Sequence, residues 1–290
     1  MTTATGETLT TVDGRTALRM ERRLAHPPPT VWRALTEPGH LTQWFPSDVE
    51  MEPRVGGTVR FPFRHGEGEA MEGEVTEWNP PHALAYTWDD DLLRWELEPE
   101  SLGTVLVLTH TFADRPGAAS YAAGWDACIS RVDPVLAGEP VPAPGDMKAA
   151  HERYVKEFGL DRGTAEELPV GWKVRFERQL TQPAATVWRT LLGHVSAPEV
   201  GGPVPGGFVA GEFAAGPVSE LRPQEVLAYP WDLHGRHQGT VRWELTRGTG
   251  QGARLVLTQT GLPDVPASLA SDVWRDRVES LAAKLAAMPR

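Results

Sequence analysis

Side chains that exchange protons, attack carbon or hold metal near neutral pH are few in this 290-residue chain, and fewer still are suggestively spaced. His110 is the best single candidate. It lies in Thr104 to Phe112, where alternation puts Leu106, Leu108, His110 and Phe112 on one face, so an imidazole able to donate or accept would point inward. The plainer reading, a core histidine satisfied by backbone or water, is the more economical one. His65 and Tyr86 could join it as polar contacts. His234 and His237, with Asp232 nearby, have a metal-ligand spacing, but Gly235 and Gly239 among them read as a hairpin loop, and no metal is expected. Asp89-Asp90-Asp91 reads as a solvated turn. Cys128, the sole cysteine, falls in an amphipathic helix and reads as a packed thiol; it has no discernible histidine partner and permits no disulfide framework. Gly201-Gly202 and Gly206-Gly207 lack the strand-to-helix setting and the lysine of a phosphate-binding loop. No catalytic residue and no cofactor is assigned.

Aromatic rings are more telling. Eleven tryptophans are an unusual load, suited to dense cores or to the wall of an apolar pocket. The inward-facing set is Trp44, Phe45, Phe61, Phe63, Tyr86, Trp88, Trp95 and Trp125, with Leu108 and His110 beside it; the expectation is a ligand cavity, against the alternative of a solid core. Strand phase turns Trp78 outward. A formal charge of −11 without clustered Lys and Arg argues against nucleic acid as a partner. There is no apolar run of the roughly 20 residues that span a bilayer, nor a basic-then-apolar leader, and the single cysteine suits a reducing compartment, so the cytoplasm is expected.

An internal repeat organises the chain. Residues 17–35, ALRMERRLAHPPPTVWRAL, match 173–191, KVRFERQLTQPAATVWRTL, at ten of nineteen positions. Leu84-Ala85-Tyr86, Arg94-Trp95-Glu96-Leu97, Leu106-Val107-Leu108-Thr109 and Trp125 recur in order as Leu227-Ala228-Tyr229, Arg242-Trp243-Glu244-Leu245, Leu255-Val256-Leu257-Thr258 and Trp274. The offset falls from 156 to 143 between the first helix and the Leu-Ala-Tyr strand, so the second copy has lost 13 residues there. The first copy carries His40 to Pro46 in that stretch and the second a Gly- and Pro-rich run, Gly201 to Gly207, so whatever the segment does is expected of the first copy alone. Each copy reads as an edge strand (Thr16 to Leu24 in the first), short helices (from Pro27, and Pro38 to Trp44), period-2 strands and a long last helix, Ala118 to Ala137 or Ala267 to Met288. The resulting organisation is a disordered amino terminus (1–15), a first domain (16–140), a linker with a helix packing between the domains (141–168) and a second domain (169–290).

The order of elements resembles the START-like helix-grip fold, an α+β architecture in which a curved antiparallel sheet, six-stranded in the pattern, wraps a long carboxy-terminal helix. More narrowly, HPPPTVWRALTEPGHLTQWF (26–45), GGTVRF (56–61), NPPHALAYTW (79–88), RWEL, GTVLVLTHTF (103–112) and Gly124-Trp125 resemble the bacterial family related to the activator of the heat-shock-protein-90 ATPase. The second copy departs from it, lacking the Trp-Phe helix and carrying Gln259 where the first has His110. The resemblance implies binding of an apolar small molecule such as a lipid or polyketide in the first domain, serving stress response or self-resistance. It also allows a chaperone-regulating interaction protein, and a polyketide cyclase-like enzyme with His110 or Tyr86 as acid or base. A homodimer or a chaperone are the protein partners it suggests, with the second copy capping or dimerising the first.

Overall fold

The computed structural model describes residues 3–62, 70–250 and 252–289, and the chain divides into two compact units, 1–147 and 148–290. Both are α+β, each an antiparallel sheet with a helix laid against it, the two tandem helix-grip domains that the repeat implies. Among the described residues no helix is long and apolar enough to cross a membrane.

In unit 1 the elements are β1 (Thr3–Val12), β2 (Arg15–Leu24), α1 (Pro28–Thr36), α2 (Pro38–Trp44), β3 (Glu50–Met51), β4 (Thr58–Phe61), β5 (Met71–Asn79), β6 (Ala83–Trp88), β7 (Asp91–Glu100), β8 (Gly103–Phe112), α3 (Ala118–Ile129) and α4 (Val132–Ala137). The eight strands lie in the order β1-β2-β8-β7-β6-β5-β4-β3. Alternation along β7 and β8 buries Leu93, Trp95 and Leu97 with Leu106, Leu108 and His110 on the face toward the helix.

Two expectations fail at the amino terminus. The segment expected to be disordered forms β1, which pairs with β2 along its length, so β2 is an interior strand rather than an edge. The cause is the turn Asp13-Gly14, both at positive φ (49° and 77°), the geometry that closes a two-residue hairpin. Glu7 on β1 also meets Arg22 at 2.7 Å, and Asp126 of α3 meets the same guanidinium at 2.6 Å. Arg22 is 2% exposed, so its charge requires both carboxylates.

The long last helix breaks into α3 and α4. Pro134 has no N–H to give the carbonyl of Ser130, and its ring would collide with that carbonyl in a continuous helix. The chain tightens at the break, Arg131 N–H bonding Cys128 O, and α4 ends on Gly138 at φ 66°.

Unit 2 comprises α5 (Met147–Glu157, from its second residue), β9 (Thr164–Glu167), β10 (Trp172–Gln179), α6 (Ala184–Leu192), β11 (Ala214–Ala215), β12 (Glu220–Arg222), β13 (Val226–Leu233), β14 (Arg236–Arg247), β15 (Ala253–Gly261) and α7 (Ala267–Ala286). The sheet order is β11-β13-β14-β15-β10-β9, with β12 also on β13. The linker helix α5 is bonded into this unit. His151 lies 3.2 Å from the Gln179 carbonyl, and Glu152 pairs with Arg178, the counterpart of Arg22, whose other partner is Glu279 of α7 at 2.9 Å. A carboxylate from α5 thus does in unit 2 what one from β1 does in unit 1.

Candidate functional site

The interior of unit 1 is built ring on ring. Trp44 at the end of α2 fixes its indole by donating to Ala34 O at 2.9 Å and meets Trp95 edge to face, centroids 5.6 Å apart. Trp95 in turn meets Trp125 of α3 at 5.6 Å. Phe45 touches Trp88 and Trp125, each at 5.6 Å, and stacks on Phe61 at 6.3 Å, while Phe61 reaches Tyr86 at 5.9 Å. Leu108 lies opposite Trp95 on the neighbouring strand and is fully buried. The structure therefore gathers Trp44, Phe45, Phe61, Tyr86, Trp88, Trp95, Leu108, His110 and Trp125. Phe63 and His65 lie outside the described residues. Trp78 sits apart, packed on Trp32 at 5.2 Å.

Three polar groups meet these rings, two of them buried and one, Asp91, half-buried. His110, 1% exposed, has both nitrogens engaged: Trp125 donates its indole N–H to Nδ1 at 3.1 Å, and Nε2 meets Asp91 Oδ2 at 3.0 Å. An indole can only donate, so Nδ1 carries no proton and the imidazole gives its Nε2–H to Asp91. Burial pulls the His110 pKa below its usual value against the opposing influence of Asp91, which keeps the ring neutral. Asp91 is braced by Arg15, whose guanidinium lies 3.4 Å from its carboxylate and 2.5 Å from the Asp90 carbonyl. The third group is Tyr86, 2% exposed. Its oxygen accepts from Trp95 Nε1 at 3.3 Å, but among the described residues its own proton has no acceptor. Burial raises its pKa, so the phenol stays protonated.

The Asp triplet is thus corrected: Asp89 makes the turn at φ 53°, while Asp91 opens β7 and joins the interior. Sequence reasoning missed Asp91 and Arg15. Strand parity held the signal for the former, since Asp91 shares its side of β7 with Leu93, Trp95 and Leu97. His234 (φ 50°) and Gly235 (φ 75°) form the β13–β14 hairpin turn, and exposed His237 stands 3.6 Å from Asp232. Among the described residues no three His, Cys, Asp or Glu side chains group as metal ligands. Cys128 is half-buried on α3.

Unit 2 rebuilds most of this interior by another route. Phe208, directly after the Gly-rich run, meets Trp243 at 5.6 Å and 81° as Trp44 meets Trp95 at 5.6 Å and 86°, and Phe213 reaches Trp231 and Trp274 as Phe45 reaches Trp88 and Trp125. The place of the lost helix in the core is therefore taken by the ring of Phe208, contrary to the expectation that only the first copy has such a piece. The polar groups differ. Tyr229 donates to Phe208 O at 2.6 Å, Gln259 replaces His110, and Gly239 stands where the repeat aligns Asp91.

Two antiparallel sheets, each closed over a helix through a shared aromatic interior, define a tandem helix-grip protein. The chain belongs to the family described as activator of Hsp90 ATPase homolog 1-like protein, whose family model matches residues 25–137 and 179–286. Among solved structures it is similar to a conserved protein of Enterococcus faecalis (26% identity, 52% of this chain and 89% of that one, TM-score 0.45). It is also similar to CalU16 from Micromonospora echinospora (17%, 55% and 96%, TM-score 0.42) and to DynU16, a protein of the dynemicin biosynthetic locus (18%, 93% and 96%, TM-score 0.41). No match was found among curated proteins.

Proposed function

We propose that unit 1 binds an apolar small molecule between its sheet and α3, with Tyr86 donating a hydrogen bond to an oxygen of the guest. The Tyr86 hydroxyl carries the reading: among the described residues its buried proton has no acceptor, whereas Tyr229 in the other unit donates to the Phe208 carbonyl. A buried donor left unpaired costs about 1–3 kcal/mol, which a carbonyl or ether oxygen on the guest offsets. Trp44, Phe45, Phe61, Trp88, Trp95, Leu108 and Trp125 supply the apolar contact. The rings touch one another, so a guest gains room by parting them. Phe45 and Phe61 are the rings that yield, since one follows the short α2 and the other ends the short strand β4 near the sheet edge.

His110 is a wall in this reading rather than a base, because both nitrogens are engaged and burial keeps the ring neutral. Binding without chemistry fits a carrier or a scavenger better than a cyclase, and family membership by itself assigns no activity. The test is a thermal-shift and tryptophan-fluorescence panel of fatty acids and aromatic polyketides on the full chain and on Tyr86→Phe. At a ligand concentration about 100 times Kd the stabilisation is about 2.7 kcal/mol, a rise of several degrees in the midpoint of unit 1. Tyr86→Phe should weaken oxygen-bearing guests about tenfold, one hydrogen bond's worth. A panel without any shift, or equal binding by the variant, would overturn the reading.

A further inference from the structure

Among the described residues of unit 2, four buried side-chain polar atoms lack a hydrogen-bond partner, Glu152 Oε1, Thr181 Oγ1, Gln238 Oε1 and Gln259 Nε2, and the last two belong to neighbouring strands. Gln259 on β15 is 0% exposed; its Oε1 accepts the indole N–H of Trp274, and its Nε2 has no partner. The orientation of this amide is forced, because an indole N–H can bond only to the oxygen end. Gln238 on β14 is 4% exposed, and its Oε1 has no partner either. It is the bulge residue between the pairs Trp231↔Gly239 and Asp232↔His237, adjoining Gly239 just beyond the end of the β14–β15 pairing that seats Gln259 opposite Val241.

The indoles of this interior offer the two unpaired atoms nothing. Trp172 donates to Val265 O at 2.6 Å, Trp231 to Thr260 O at 2.7 Å, and Trp274 to Gln259 itself, so all three indoles present only ring surface. Unit 1 shows what the position requires. There the equivalent donor, His110 Nε2–H, meets the Asp91 carboxylate, and that carboxylate is replaced by Gly239 in unit 2. A side chain cannot return at that residue, since a Cβ on Gly239 would stand 2.2 Å from the Thr260 carbonyl oxygen. A buried donor and a buried acceptor, each costly to leave unmade, therefore persist where the other copy is closed by its own residues.

We infer that unit 2 has a small-molecule site of its own, in which Gln259 Nε2 donates to, and Gln238 Oε1 accepts from, a guest carrying an acceptor beside a donor on an apolar body. Lactams and other secondary cis-amides have that edge, and the tryptophan faces suit a flat ring behind it. The site is independent of the Tyr86 reading for unit 1.

The experiment is calorimetric titration of the full chain with 2-quinolinone, which places C=O beside N–H on a fused ring, with quinoline and naphthalene as controls. Binding of 2-quinolinone at least tenfold tighter than naphthalene is expected. Gln259→Leu and Gln238→Leu should each weaken it at least tenfold, and Tyr86→Phe should leave it unchanged. Circular dichroism checks folding, and Gln238, near a strand end, gives a second variant if Gln259→Leu unfolds. Equal binding by both glutamine variants would overturn the inference, as would loss in Tyr86→Phe, which places the probe in unit 1. So would a crystal structure with one water bridging the two amides that millimolar 2-quinolinone does not displace.

Discussion

At His110 the two ring nitrogens decide what the side chain can do. One accepts from Trp125 and the other donates to Asp91, a pair of roles that a glutamine amide can also fill. His110→Gln is therefore expected to cost no more than about 1 kcal/mol, whereas His110→Leu strands a buried indole N–H and a carboxylate and should cost about 2–4 kcal/mol. Urea unfolding of both variants measures the difference. His151 is held down to about 4, first by burial and then by the Arg178 guanidinium, against an ordinary 6.5. The unfolded chain protonates this imidazole near 6.5 and the folded chain only near 4. Stability from the neutral ring is thus fully present above about 6.5 and is lost as pH falls toward 4, up to about 3 kcal/mol. His151→Gln should flatten the stability curve over that window; parallel curves for variant and wild type would contradict the assignment.

Among the elements, what could be read in advance was set by local rules. Period-2 alternation gave β7 and β8, and prolines 28 and 38 marked the starts of α1 and α2. The same rules, applied further, would have found more. Asp13-Gly14 is a hairpin signal and Pro134 a helix break, yet one end was expected to be disordered and the other continuous. Inward parity on β7 pointed to Asp91. What no local rule carries is the use of Phe208 for Trp44, because a loop ring reaches its place by the path of the chain and not by spacing. Nor could sequence give the unused protons of Tyr86 and Gln259, which depend on neighbours from other strands. Residues 1–14 make a test at this scale. Their removal takes away the β1 ladder and Glu7, one of the two carboxylates on Arg22, and unit 1 should lose about 2–4 kcal/mol in urea, where a disordered tail would cost nothing.

Taken whole, the chain is one design executed twice with different polar fittings. Each unit has its own sheet, its own aromatic interior and its own buried arginine bracketed by two carboxylates. Residues 148–290 expressed alone should unfold in a single cooperative urea transition, followed by tryptophan fluorescence; a featureless slope would mean that the unit does not stand by itself. The central claim, that unit 1 takes an apolar guest against Tyr86, is tested most directly by native mass spectrometry of the full chain isolated from its own host, beside Tyr86→Phe and Leu108→Trp, whose larger ring takes up the room a guest would open. The account predicts a retained apolar mass on the wild type, weakened in the first variant and absent from the second. A bare chain in every preparation, or a mass retained equally by all three, would contradict it.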